Sequence, residues 1–186
     1  DYRRVDDEAA HAFFSDYWDA ELDPNPGLTV VEIMDKACEG EIRGMYVMGE
    51  NPAMSDPDLN HSRAGLAALD HLVLQDIFLT ETGAFADVLL PASAFPEKDG
   101  TFSNTDRRVQ LGRKALDCPG EARQDLWIIQ EIAKRMGLDW SYHGAQDVFK
   151  EMGGAMPSIG GMTWERLENQ HSITYPCEGD DDPGQG

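Results

Sequence analysis

Two short apolar runs, each stopped by polar residues, constrain this chain more than anything else in it. Met45-Tyr-Val-Met48 runs into Gly49-Glu-Asn-Pro52, and His71-Leu-Val-Leu74 runs into Gln75-Asp76. The segment between them is long enough for a helix. Strand, loop, helix, strand is the unit from which parallel sheets are wound, because parallel partners need a crossover connection. Such sheets collect ligands beyond the carboxyl ends of their strands. Gly49, Glu50, Asn51, Gln75 and Asp76 would therefore stand on the edge where a ligand binds. The expected fold class is α/β: a mostly parallel, Rossmann-like sheet flanked by helices, with a small helical carboxyl-terminal extension.

The remaining segments fit around that unit. Residues 6–20 place Ala10, Phe13, Phe14, Tyr17 and Trp18 at helical spacing, giving an aromatic face for a core or an interface. Thr29 and Glu32 form a T-x-x-E capping box before Val30, Ile33, Met34, Ala37 and Cys38, an apolar stripe on which Cys38 reads as a small buried hydrophobe. Gly40 ends that helix. Ser55-Asp56-Pro57 reads as the start of a further helix running to about Ala68, and Glu81 to Ala86 as a short one. Asp87-Val-Leu-Leu-Pro91 reads as a third strand. Residues 92–124 are expected to be mostly irregular, a length of loop that usually carries function or meets another domain. Asp125 then caps a helix with Leu126, Ile129, Ile132, Ala133 and Met136 on its apolar face, stopped by Gly137. Two helices are expected at 145–152 and 163–169, broken by Gly153-Gly154 and Gly160-Gly161. The acidic, Gly-rich residues 178–186 read as linker or frayed end. The resulting division is an α/β domain over 1–140 and a helical extension with linker over 141–186.

Charge narrows the partners. The chain of 186 residues holds 35 acidic and 15 basic side chains, a net charge of −20. That field repels nucleic acid and anionic membranes. No apolar run approaches a membrane span and no signal peptide opens the sequence. Cys38, Cys118 and Cys177 are far apart and odd in number, so they form neither a disulfide framework nor a C-x-x-C metal site. Reduced thiols in a cytoplasmic protein fit them, with a periplasmic location as the alternative.

Several familiar chemistries are absent: a P-loop, a G-x-G-x-x-G turn, a G-x-S-x-G elbow, and paired histidines. What remains is a set of polar groups at strand ends. Gly49 lets backbone approach a ligand. Asn51 offers donor and acceptor to a base edge or ribose. Asp76 lies 27 residues after Gly49, near the offset at which acidic groups hold ribose hydroxyls. Thr80 and Thr82 could donate to phosphate, and Lys98 in Glu97-Lys-Asp-Gly100 could neutralise a diphosphate. Ordinary turn chemistry accounts for the same residue types.

Taken in order, the motifs are more specific. They are Tyr46-Val-Met-Gly-Glu-Asn-Pro52, Gln75-Asp-Ile-Phe-Leu-Thr-Glu-Thr82, Ala86-Asp-Val-Leu-Leu-Pro91, Glu97-Lys-Asp-Gly-Thr-Phe-Ser-Asn104, Arg107-Arg-Val-Gln110 and Pro119-Gly-Glu-Ala-Arg-Gln-Asp-Leu-Trp127. Together they resemble the large subunit of molybdenum- or tungsten-dependent formate dehydrogenases, in the molybdopterin oxidoreductase family, over roughly residues 13–178. The resemblance implies binding of one of two molybdopterin guanine dinucleotides. Gly49, Glu50 and Asn51 would line the nucleotide site. Gln75 and Asp76 would hold the guanosine end, with Thr80 and Thr82 beside them. Lys98 and Asp125 match further cofactor-contacting positions, and for Asp125 a plain helix cap is the competing role.

Departures from the family pattern matter equally. The cysteines that hold the family's 4Fe-4S cluster have no counterpart here, and no cysteine is followed by the histidine expected beside a metal-binding Cys or selenocysteine. The resemblance thus implies an internal piece of a formate dehydrogenase subunit, inactive alone, without catalytic or metal residues of its own. Its partners would be the remaining domains of the parent subunit and iron–sulfur or diaphorase subunits. Two alternatives stay open: a nitrate reductase of the same family, or a non-catalytic scaffold domain like that in the large subunit of respiratory NADH dehydrogenase.

Overall fold

The structure is a computed structural model that describes residues 3–184. By contact, the described chain forms two units. One comprises Gly27–Ala94 and Asp117–Ile129; the other comprises the stretch up to Pro26, Phe95–Leu116, and Gln130 onward. Neither is a continuous stretch, so a boundary at residue 140 and a contact-defined unit are different things.

The first unit is built on a parallel sheet. Its strands are β1 (Gly44–Met48), β2 (His71–Asp76) and β3 (Val88–Pro91), in that spatial order. Met48 pairs with Gln75, and Asp76 pairs with Pro91, so all three strands end on one edge. Helix α2 (Val30–Cys38) precedes β1, and the β1–β2 crossover contains a single turn, α3 (Pro52–Ser55), followed by α4 (Leu59–Ala68). The capping box of α2 is complete: Glu32 N–H donates to Thr29 Oγ1, and Thr29 N–H donates to the Glu32 carboxylate at 2.7 Å. Met34, Val47, Ala53, Leu66, Leu72 and Leu74 form the core. Alternation along the strands sends Val47, Leu72 and Leu74 to that side and leaves Tyr46, Met48 and Val88 exposed on the other.

Three details differ from the sequence expectation. Val30 and Cys38 are exposed, because the buried stripe of α2 narrows to Met34 and Ala37 against α4. The crossover holds two helices: Pro52 starts the first, and Asp58, not Ser55, caps the second. The third element, Glu81–Ala84, is a 3₁₀ turn.

The second unit carries an antiparallel sheet where residues 92–124 read as mostly irregular. Strands β4 (Gly100–Ser103) and β5 (Arg108–Gly112) form a hairpin, and β6 (Ser172–Thr174) adds to β5. The hairpin turn places Arg107 at φ +64°, a conformation usually given to Gly or Asn, so the usual turn signal is missing. Val109, Phe149, Ile159, Met162, Leu167, Ile173 and Cys177 form this unit's core. Helix α1 (Glu8–Tyr17) buries only Ala10; its Phe13, Phe14, Tyr17 and Trp18 rings contact each other instead.

Helix α5 (Asp125–Arg135) begins at Asp125, which is its first helical residue and not its cap. Ile128 is buried in place of the expected Met136, which lies beyond the helix end and is exposed. Helix α6 (Ala145–Ala155) continues through Gly153-Gly154. Gly154 has a reason to lack a side chain: a Cβ there would meet Tyr17 Oη at 2.4 Å. Helix α7 (Trp164–Gln170) follows the expected boundary closely.

The tail is tied down as far as it is described; residues 185–186 lie outside the described residues. Arg166 donates to Gly161 O at 2.6 Å, Gly179 O at 3.1 Å and Asp182 O at 2.9 Å. Gly161 and Gly179 approach so closely that a Cβ on Gly161 would lie 2.1 Å from Gly179 O. That contact explains Gly161, which otherwise reads only as a break between helices. Among the described residues, no helix is long and apolar enough to cross a membrane.

Candidate nucleotide site at the carboxyl edge of the parallel sheet

The parallel register delivers three loop starts to one edge. Gly49 leaves β1 at φ +65°, and its N–H donates to Gln75 O at 2.9 Å, carrying the pairing one residue past the strand. A Cβ at Gly49 would meet nothing within 4 Å, so the turn is open on its outer side. Glu50, next to it, is exposed. Ala92 N–H donates to Asp76 O at 3.0 Å and does for β3 what Gly49 does for β1.

Two polar clusters brace this edge. In the first, Asn51 Oδ1 accepts from the Thr82 N–H at 3.1 Å and from the Thr82 hydroxyl at 2.8 Å, while Thr82 Oγ1 accepts from Ala53 N–H at 3.1 Å. The Asn51 amide donates to Glu81 at 2.7 Å, and that bond holds the Glu81 carboxyl below its ordinary value. Thr82 is fully buried. Asn51 and Thr82 thus lock the loop after β1 to the turn after β2.

In the second cluster Gln75, also fully buried, is the hub. Its Oε1 accepts from the Tyr46 hydroxyl and its Nε2 donates to Asp125 Oδ1 at 2.7 Å. The Ser93 hydroxyl donates to Asp125 Oδ2 at 3.5 Å. A buried amide must satisfy both of its ends, and here it does so with a strand neighbour and a helix start. Burial, and then the charge of Asp125, push the Tyr46 phenol above its ordinary value.

Between the clusters stand groups turned to different uses. Asp76 Oδ1 accepts from Ile77 N–H at 2.6 Å, and the side chain is half-buried. Thr80 Oγ1 is buried without a hydrogen-bond partner. An enclosed hydroxyl of this kind is costly unless something completes it. Lys98 lies in the other unit, half-buried between the Phe95–Glu97 turn and β4. Of the nine residues singled out from sequence, eight stand in the parallel-sheet unit.

Three residues of the edge had no role assigned from sequence. Tyr46 shares a face with Gln75 by strand alternation, a signal readable once the register is known. Ser93 follows Pro91 by two residues. Arg123 N–H donates to Pro91 O at 3.0 Å, and its exposed guanidinium lies 5.9 Å from the Trp127 ring centre, bringing a cation to an edge rich in carboxylates.

The donor set suits the end of a guanosine dinucleotide. Ring N–H groups and ribose hydroxyls need acceptors, which Glu50, Asp76 and Asp125 supply. Backbone can approach at Gly49, Thr80 offers its unpartnered hydroxyl, and Arg123 a charge for phosphate. Among the described residues no group of three His, Cys, Asp or Glu is placed to hold a metal ion.

Comparison with known proteins gives the chain's relatives. The family described as Molybdopterin oxidoreductase matches residues 8–135. The chain is 46% identical over 178 residues to the F420-dependent formate dehydrogenase subunit alpha of Methanocaldococcus jannaschii, covering 95% of this chain and 26% of that protein. It is 41% identical to the putative formate dehydrogenase YrhE of Bacillus subtilis, over 94% of this chain and 18% of that one. It is 36% identical to the assimilatory nitrate reductase catalytic subunit of Bacillus subtilis, over 100% of this chain and 27% of that one. The acetylene hydratase from Pelobacter acetylenicus shares the fold at a TM-score of 0.64 and 21% identity, over 83% of this chain and 22% of that one. The chain spans about a quarter or less of these relatives' length.

Proposed function

Because the chain belongs to the molybdopterin oxidoreductase family, we propose that it serves a formate dehydrogenase, binding the guanosine end of a molybdopterin guanine dinucleotide on the carboxyl edge of the β1–β2–β3 sheet. One observation carries this reading: β1, β2 and β3 end on one edge, so the loops that carry Glu50 and Thr80 and the strand-end carboxylate of Asp76 all start there, and the buried hydroxyl of Thr80 has no partner. Asp76 and Asp125 would accept from ribose hydroxyls and ring N–H groups. Glu50 would flank the turn at Gly49, where backbone can approach. Gln75 would orient Asp125, and Asn51 with Thr82 would hold the two loops apart at a fixed span. Arg123 would balance diphosphate charge.

When bound, the pterin-held molybdenum or tungsten supplies the two-electron chemistry, formate to carbon dioxide, with electrons passed to iron–sulfur clusters elsewhere in the parent protein. The residues of this chain bind and position; they move no proton or hydride. The 186-residue chain alone is expected to reduce no dye with formate, and formate-dependent reduction by it would overturn that assignment.

The similarity to a nitrate reductase keeps one rival in view. The deciding experiment uses the full-length parent protein. Molybdenum or tungsten, guanine nucleotide released by acid hydrolysis, and dye-linked turnover of formate against nitrate are measured on one preparation. The proposal expects metal, bound guanine nucleotide and formate turnover. Metal and guanine nucleotide with nitrate turnover alone would select the rival, and absence of both metal and nucleotide would select a scaffold role.

A further inference from the structure

A second group of reactive side chains lies away from the strand ends, where α2 meets α4. Cys38, at the end of α2, is exposed, and its sulfur stands 3.7 Å from His61 Nδ1. The other ring nitrogen of His61, Nε2, is 2.8 Å from Asp35 Oδ1. Asp35 lies one turn before Cys38 on the same helix. The three side chains therefore form a line: thiol, imidazole, carboxylate.

We propose that Cys38, His61 and Asp35 form a thiol-modification site that takes low-molecular-weight disulfides. A carboxylate on Nε2 fixes the tautomer that carries its proton there and turns the Nδ1 lone pair toward the sulfur. That is the arrangement of nucleophile, base and orienting group by which a weak nucleophile is activated. Cys38 needs such a base. It sits at the carboxyl end of a helix, where the dipole gives a thiolate no support.

The surroundings leave His61 to this work. Glu39 and Glu41 are both held on Lys36, at 2.8 Å and 2.9 Å. Asp58 caps α4 and accepts the His61 backbone N–H at 3.1 Å, while Asp56 accepts from the Ser62 hydroxyl. Facing the sulfur on α4 is Gly65, where a side chain would stand 3.5 Å from Sγ. The thiol can also donate to His61 O at 3.6 Å, which gives it a resting position.

The reaction balances without any further reagent. The Cys38 thiol gives its proton to His61 Nδ1, and its sulfur bonds to one sulfur of the incoming disulfide. The S–S bond of the disulfide breaks. The departing thiolate takes the proton from His61. Cys38 is oxidised to a mixed disulfide while the small disulfide is reduced to one equivalent of thiol.

The test uses the full-length protein and 4,4′-dithiodipyridine, with peptide mapping to assign the modified cysteine. Native Cys38 is expected to react at neutral pH at least about tenfold faster than in urea-unfolded protein and faster than Cys118. His61→Gln should remove that advantage, and Asp35→Asn should reduce it several-fold, with circular dichroism checking the fold. Native Cys38 reacting no faster than unfolded Cys38 would overturn the proposal. So would an unchanged rate in folded His61→Gln. If that variant does not fold, the native-to-unfolded ratio and Asp35→Asn decide alone, and equal rates in both comparisons would reject the site.

Discussion

The two sheets end in opposite ways. The parallel sheet closes on a polar ledge whose outer side is open: Gly49 faces empty space, Glu50 is exposed, and Thr80 holds a hydroxyl that nothing completes. The antiparallel sheet closes on a polar knot in which Arg166 is spent on the carbonyls of Gly161, Gly179 and Asp182. Parallel strands deliver all their carboxyl ends, and the loops that follow, to one edge. Antiparallel strands scatter their ends, so polar groups there tie the chain to itself. The ledge sets an exposed carboxylate and an unpartnered hydroxyl beside open backbone, whereas Nη1 and Nη2 of Arg166 turn back onto its own chain and Nε alone has no partner.

Core substitutions set the scale for both regions. Leu74 and Leu167 are 0% and 1% exposed at the centres of their respective cores. Replacing either by Ala should cost roughly 2–5 kcal/mol, through lost burial and the cavity left behind. Urea denaturation of each variant measures it. Costs well under 1 kcal/mol would show that one of these cores is not packed as described.

The next pair of substitutions could break the comparison. Arg166→Ala removes charge-assisted bonds that have no solvent substitute once the tail is packed, and should cost about 2–3 kcal/mol. It should also expose the chain near Gly179 to limited proteolysis. Thr80→Val removes a buried hydroxyl that bonds to nothing, so it should stabilise the protein, by about 1 kcal/mol or more. In the full-length protein it should lower the guanine nucleotide content. If Thr80→Val destabilises as strongly as Arg166→Ala, the ledge is as self-contained as the knot, and the case for a ligand there fails.

The regions also differ in how far their sequence reveals them. In the parallel sheet, three strands and their crossovers come from one stretch, 44–91, and each apolar run stops at its polar end. Local signals suffice, and Gly49, Glu50, Asn51, Gln75 and Asp76 could be placed on the edge from sequence alone. The bonds among them could not. Gln75 finds Asp125 fifty residues away, and no local pattern encodes that pairing. The antiparallel sheet was hidden for two reasons. Its hairpin turns through Arg107 without the usual glycine, and β5 finds β6 about sixty residues later. The tail looked frayed because acidic and Gly-rich composition says nothing about an arginine waiting in α7. Cys38 fitted an apolar stripe, yet the exposed end of α2 and a histidine on α4 give it another environment.

Glycines in α6 offer a smaller test of the same reasoning. Gly153 faces open space, so Gly153→Ala should stabilise the helix by roughly 0.5–1 kcal/mol. Gly154 touches Tyr17, whose hydroxyl donates to Glu151 O at 2.9 Å. Gly154→Ala should therefore lose that gain by displacing the ring. Thermal denaturation of the two variants side by side reads the difference in sign, and equal gains would mean that Tyr17 does not pack there.

Acid should loosen one carboxylate bond in each region. Glu81 on the ledge is held below its ordinary 4.5, chiefly by the Asn51 amide. Asp182 in the knot is held below its ordinary 3.8, chiefly by the Glu178 N–H and then by that of Gly184. In both cases the folded form binds the proton less readily than the unfolded form. Each contribution is therefore complete above the ordinary value and is lost as pH falls through the folded one. In the folded protein Glu81 should therefore titrate below its ordinary 4.5 and Asp182 below its ordinary 3.8. Both carboxylates are solvent-exposed, so the change is local, not global unfolding. Carboxyl carbon shifts followed by NMR from pH 6 to 2.5 report each group directly. Amide shifts of Glu178 and Gly184 provide a second reading for the knot. The depression of Glu81 should survive Thr80→Val, which leaves the Asn51–Glu81 bond in place, and be lost in Asn51→Ala. An Asn51→Ala protein in which Glu81 still titrates as in the parent would show that the ledge is not pinned where this bond places it.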